Sequence, residues 1–195
     1  MSEILLRAEN ICKSFGITKA VNDVSMSFAK GEIHGLIGEN GSGKSTFVSM
    51  LCGIHSIDSG RFILNGKELH VRNQVEANDR GVSIIVQEMG TLSGLTVAEN
   101  IFLGREDRFV KCGIKNTAAM NREAAALLEK YGFGHINAAA MIDHYHFEDR
   151  KLIEIVKATY FDPQIVVIDE TTTALSQKGR EELYIHMKRI RDEGN

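Results

Sequence analysis

Glu32-Ile33-His34-Gly35-Leu36-Ile37-Gly38-Glu39-Asn40-Gly41-Ser42-Gly43-Lys44-Ser45-Thr46 is the stretch on which the reading of this chain turns. Residues 32–38 form a short, mostly apolar run ending in glycine, as a buried parallel strand does. Residues 38–45 then fit the spacing G-x-x-x-x-G-K-[ST]. Glycines let the backbone turn tightly and approach a ligand with no Cβ in the way. Successive N–H groups then converge as an anion nest at the start of a helix, which residues 47–52 are suited to continue. Lys44 is placed to reach terminal phosphates, and the Ser45 hydroxyl to meet Mg2+. A Gly-rich turn can match this spacing by accident, but a strand before and a helix after are the context the motif demands.

A second element supports the first. Ile165-Val166-Val167-Ile168-Asp169-Glu170 is an apolar β-branched strand ending in two carboxylates. In a phosphate-loop enzyme the first carboxylate holds Mg2+ through its water shell, and the second orients and deprotonates the attacking water. Alone, an acidic strand end facing solvent would be an equal explanation. Pro163 just ahead is tolerated at a strand start.

Outward from these two motifs, residues 4–8 read as a strand and residues 21–28, V-N-D-V-S-M-S-F, as a half-buried antiparallel strand. Asn65-Gly66 between residues 61–64 and 67–71 is a strong hairpin signal. Residues 81–87 are another buried strand. Residues 97–149 change character, with helical spacing over 121–131, and read as a helical insertion. Residues 152–160 and 181–191 are further helices, the last with Leu183, Met187 and Ile190 on one stripe. Strands alternating with helices predict an α/β fold with a mostly parallel sheet.

Composition narrows the function classes. Among 195 residues, 23 Lys and Arg face 26 Asp and Glu, for a net charge of −3. That balance argues against a nucleic-acid or anionic-membrane surface. At 43% hydrophobic and 25% charged the chain is globular in composition. No apolar run is long enough to span a bilayer. Glu3, Arg7 and Glu9 argue against a signal peptide. Cys12, Cys52 and Cys112 are scattered, which points to a reducing compartment without disulfides or zinc-ligand spacing.

With these residues in view, the chain resembles the nucleotide-binding cassette of ABC transporters over its whole length. Lys13-Ser14-Phe15-Gly16 is similar to the family's adenine-stacking loop, with Phe15 as the ring, against the alternative of an ordinary core aromatic. Gln87-Glu88 resembles the Q-loop, whose glutamine touches Mg2+ and the catalytic water. Leu95-Thr96-Val97-Ala98-Glu99-Asn100-Ile101-Phe102-Leu103-Gly104-Arg105-Glu106 is similar to the carbohydrate-importer branch, whose members serve pentose or hexose uptake and carry two cassettes in one chain; this sequence resembles the N-terminal one.

The resemblance implies a P-loop NTPase core with a small antiparallel β subdomain (residues 1–88 and 155–195) and an inserted helical subdomain (89–154). It implies ATP and Mg2+ as ligands, held by Phe15, residues 38–46, Gln87 and Asp169, with Glu170 as base. Its implied partners are a second cassette, membrane permease subunits and, indirectly, a periplasmic or extracellular solute-binding protein, with no nucleic acid. The implied location is cytoplasmic, on the inner face of the cell membrane.

Two departures accompany the resemblance. The family's signature, Leu-Ser-Gly-Gly-Gln or near it, should stand at Tyr145-His146-Phe147-Glu148-Asp149, and none of these matches. Two carboxylates there would repel a triphosphate. Leu92-Ser93-Gly94 lies beside the Q-loop and is a decoy. His144 and His146, two apart, cannot share one helix face as metal ligands. The switch histidine expected after Glu170 is absent from the twenty-five residues that follow, which hold the D-loop-like Thr173-Ala174-Leu175-Ser176 and one helix. Thr171 stands where the family has proline. The leading expectation is an ATP-hydrolysing importer subunit. The alternatives are a cassette that binds ATP and dimerises without turnover, and a non-transport ABC ATPase.

Overall fold

The computed structural model describes residues 3–85, 90–160, 162–169 and 177–192. The chain divides into two compact units, one of residues 1–84, 161–169 and 187–195, the other of residues 85–160 and 170–186.

The first unit is built on an antiparallel sheet ordered β2-β1-β3-β4, formed by β1 (Ile4–Phe15), β2 (Thr18–Ala29), β3 (Ser59–Leu64) and β4 (Lys67–Glu68). Residues 21–28 lie within the antiparallel strand β2, but their alternation is only partly realised: Val21 is buried, Val24 and Phe28 half-buried, and Met26 exposed. β1 runs well past the expected residue 8, because a bulge carries it through polar Glu9-Asn10. The register shifts against both neighbours there. Asn10 takes a left-handed φ of 52°, a conformation its short polar side chain tolerates. Its side-chain amide donates to Asp23, itself at φ 57°, over 2.8 Å. Gly60, at φ 89°, packs on the bulge so closely that a Cβ would overlap the carbonyl oxygens of Asn10 and Glu9. The Asn65-Gly66 hairpin forms, with left-handed φ values of 50° and 73°, but its second strand ends at Glu68 and not at the expected residue 71.

Helix α1 (Lys44–Leu51) packs Phe47, Met50 and Leu51 into this unit's core. There Phe47 meets Phe62 edge-on with ring centres 5.5 Å apart. α2 (Gln74–Asp79) follows, capped by the Asn73 side chain. β5 (Val82–Ile85) pairs with β8 (Ile165–Ile168).

The sequence reading fails at residues 32–38. They form no strand, Ile33 is 47% exposed and Ile37 94%. An apolar run becomes a buried strand only when a neighbour supplies its ladder. Among the described residues β8 pairs with β5 and neither takes residues 32–38 as its other neighbour.

The second unit holds α3 (Val97–Ile101), a short hairpin of β6 (Val110–Lys111) and β7 (Ile114–Lys115), α4 (Thr117–Lys130) and α5 (Phe147–Thr159). Its buried residues include Val97, Phe102, Met120, Leu128, Ile142 and Ile153. α4 begins four residues before the predicted 121, because the Asn116 side chain accepts the Ala119 N–H as an N-cap. α5 begins five residues before the predicted 152, led in by extended His146. α6 (Gln177–Asp192) buries Leu183 and Ile190 of the expected stripe.

A capping box opens α3. Thr96 accepts the Glu99 N–H, and Glu99 reaches back to the Thr96 N–H over 3.0 Å. The spacing T-x-x-E was the available signal. That amide bond, then the Lys115 ammonium, holds the Glu99 carboxyl down at about 2.

Gly60→Ala is expected to destabilise the chain by more than about 1 kcal/mol in urea unfolding, through strain and overlap at the bulge. A carboxyl depressed in the folded state stabilises above its unfolded value and loses that contribution as pH falls toward the folded one. Glu99→Gln should therefore be less stable than the parent at pH 7, with the gap closing as pH falls from 4.5 toward about 2.

Candidate functional site

The Gly-rich loop folds as its composition requires. Gly41 and Gly43 take left-handed φ values of 81° and 90°. The Ser42 N–H donates to the Glu39 carbonyl over 3.1 Å, closing a tight turn. A Cβ on Gly38 would lie 2.7 Å from the Ser42 hydroxyl, and one on Gly43 would overlap the Ala20 carbonyl. Gly43 is the N-cap of α1, has no side chain to cap it, and no acidic residue stands in the first turn. The first N–H groups of α1 therefore keep their donor capacity, and the only charge in that turn is the Lys44 ammonium. It donates to the Gly38 and Glu39 carbonyls, each over 2.9 Å. Ser45 is exposed and Thr46 half-buried. This is an arrangement of backbone donors, helix dipole and one cation that suits a phosphate.

Phe15 is 46% exposed, so it is not a core aromatic. It ends β1 opposite Thr18, while Gly43 lies against Ala20 two residues on. The ring and the Gly-rich loop therefore belong to one end of the β1–β2 hairpin. Asp169 directly follows β8 and is half-buried. It lies near enough to Cys52, at the end of α1, to help burial push that thiol up to about 12. Gln87 and Glu170, with Glu88, Thr171 and residues 173–176, lie outside the described residues.

Residues 145–149 occupy the start of α5, where His146 is the N-cap and offers no side-chain cap. The place is held by other side chains. Arg150 donates to the Tyr145 carbonyl over 2.9 Å and pairs with Asp143 at 3.6 Å. Asp143 also accepts the N–H of Gly94 over 2.9 Å, so the Ser93-Gly94 decoy is bound to the turn before α5. The Gly94 amide, then Ser93, holds the Asp143 carboxyl below its ordinary value. Glu148 and Asp149 lie in the first turn of α5, and Asp149 pairs with His135 at 3.2 Å. These carboxylates already complement the helix dipole. Among the described residues no three His, Cys, Asp or Glu side chains are gathered to hold a metal ion. Sequence reasoning missed Arg150, Asp143 and His135, because their pairing joins residues up to 14 apart through a turn.

The sequence model of the family described as "ABC transporter" matches residues 21–173. The chain is 39% identical over 185 residues to the "Ribose import ATP-binding protein RbsA" of Chromobacterium violaceum, a match covering 94% of this chain and 36% of that protein. It is 35% identical over 189 residues to the protein of the same name from Bacillus cereus, with 97% and 38% covered. The chain thus spans less than two fifths of the length of these relatives. Among solved structures it is similar to a nucleotide-free ATP-binding cassette from an ABC transporter, at a TM-score of 0.84 and 27% identity over 98% of this chain and 78% of that one. It is equally similar to the ADP conformation of such a cassette, with a TM-score of 0.84, 27% identity and 99% and 79% covered.

Among the described residues Lys44 bonds to the Gly38 and Glu39 carbonyls of its own loop. Lys44→Ala is accordingly expected to weaken ATP binding at least tenfold, the effect of losing one charge-assisted bond of about 1.5–3 kcal/mol. Its thermal melt should match the parent's. Nucleotide titration alongside circular dichroism checks both.

Proposed function

We propose that this chain, which belongs to the ABC transporter family, supplies an ATP-binding cassette of a carbohydrate importer and couples ATP binding and hydrolysis to solute uptake. The observation that carries the reading is the uncapped start of α1 behind left-handed Gly41 and Gly43, with Lys44 as the sole charge of its first turn. The 39% identity to a ribose import ATP-binding protein supports the carbohydrate class.

In this reading the adenine stacks on Phe15. Residues 38–46 wrap the phosphates with backbone N–H groups, and Lys44 exchanges its two loop carbonyls for β/γ-phosphate oxygens. The Ser45 hydroxyl, Gln87 and Asp169 are the residues that would hold Mg2+, whose charge would offset that of the triphosphate. Glu170 takes a proton from water, which attacks the γ-phosphorus in line as ADP leaves. Residues 89–154 form the helical subdomain through which permease subunits are engaged, and a second cassette completes the pair. Among the described residues no helix is long and apolar enough to cross a membrane. In this reading the bilayer is reached through those permease subunits, at the inner face of the cell membrane.

One observation favours a second reading, a cassette that holds ATP and turns it over poorly. The start of α5, the place of the family's signature, presents Glu148 and Asp149 and is packed by Arg150 and Asp143. A partner's γ-phosphate would meet carboxylates in place of hydroxyl and glycine N–H donors. Losing one preorganised donor costs about 10²–10³ in rate.

The purified chain should bind Mg-ATP; in multiple-turnover assays the first reading expects phosphate release that depends on Glu170, and the second expects very slow release. Fast turnover abolished by Glu170→Gln would reject the second reading and uphold the first. Absence of ATP binding would reject both.

A further inference from the structure

The Phe15 ring is pinned from below and from the side. Lys13 places its ammonium over the ring, 5.6 Å from the centroid, a favourable cation–π contact. The Lys13 side chain is only 11% exposed, whereas Phe15 is 46% exposed. One ring face is therefore covered and the rest is open. His55 stands edge-on, its ring centre 5.3 Å from that of Phe15 at 73°.

His55 belongs to the loop between α1 and β3, and one side chain of that loop ties it to β1. Asp58 Oδ1 accepts from Lys13 Nζ over 2.8 Å, and Oδ2 accepts the Ser14 N–H over 2.7 Å. The Asp58 N–H donates in turn to the Cys12 carbonyl over 3.0 Å. Ser56 accepts from Lys13 as well, at 3.3 Å. Residues 12, 13 and 14, the three before Phe15, are thus each held by Asp58. The Lys13 and Ser14 bonds keep the Asp58 carboxyl below its ordinary range, so it stays an acceptor of both at neutral pH.

We infer that Asp58 and Lys13 are positioning residues for recognition of the nucleotide base: Asp58 clamps the end of β1 and the Lys13 ammonium, and together they hold Phe15 as a one-faced stacking platform. A free aromatic ring must lose its side-chain freedom when a base stacks on it. Here that ordering is already done. The cation behind the ring also draws its π density, which favours an electron-rich purine on the open face. The inference rests on the base-stacking role given to Phe15 above.

The test is calorimetric titration of Mg-ATP and of Mg-tripolyphosphate into the parent chain, Phe15→Ala, Asp58→Asn, Lys13→Met and the doubles with Phe15→Ala. The asparagine substitution keeps an acceptor for the Ser14 N–H while removing the charge that holds Lys13. Asp58→Asn and Lys13→Met should each weaken ATP about threefold or more, part of the effect of losing a stacked base, and leave tripolyphosphate unchanged. Neither should weaken ATP further once Phe15 is replaced by alanine. Equal weakening of both ligands, or a full added loss in the doubles, overturns the inference while the base site stands. Phe15→Ala that treats both ligands alike removes the stacking reading and this inference with it. If Asp58→Asn does not fold by its thermal melt, Lys13→Met decides alone.

Discussion

The close approach of Gly43 to the Ala20 carbonyl is the constraint from which the candidate site follows. A backbone at φ 90° with no room for a Cβ joins the Gly-rich loop to β2 and fixes where α1 begins. From that contact the first N–H groups of α1 face outward, and Phe47, Met50 and Leu51 face the core. Because β2 pairs with β1 through Phe15 and Thr18, the same contact brings an exposed aromatic ring to the end of the sheet that carries the loop. Packing one face of a short helix thereby fixes the place of its N-terminus, the positive end of the dipole along its axis.

Two helix starts in this chain are electrostatic opposites. α1 opens with glycine and lysine and no acidic residue. α5 opens with Glu148 and Asp149, flanked by the Asp143–Arg150 and Asp149–His135 pairs. The first suits an anionic ligand; the second is already supplied with anions of its own. Of these two helix starts, the first alone combines uncapped backbone N–H groups with a cation, the combination a phosphate calls for.

Contiguous residues determined a good deal by themselves. The loop over residues 38–45 is a matter of local dihedral freedom and one cation at the right spacing. The Asn65-Gly66 turn is equally local. So are the periodicities of α4, α5 and α6; α4 starts ahead of its apolar stripe because the Asn116 cap extends it.

Ladder partners, exposure and ion pairs were decided only by the tertiary structure, because each requires segments distant in the chain to meet. Residues 32–38 have the composition of a buried strand, yet no neighbour among the described residues completes their hydrogen bonding and Ile37 stands exposed. Phe15 could have been core or surface on composition alone; its exposure follows from its place at the end of β1. Asp58 gripping Lys13 and Ser14 joins residues 45 and 44 apart. A carboxylate's chemistry can be read from the sequence, but its partner is set by the sheet that brings the two strands together.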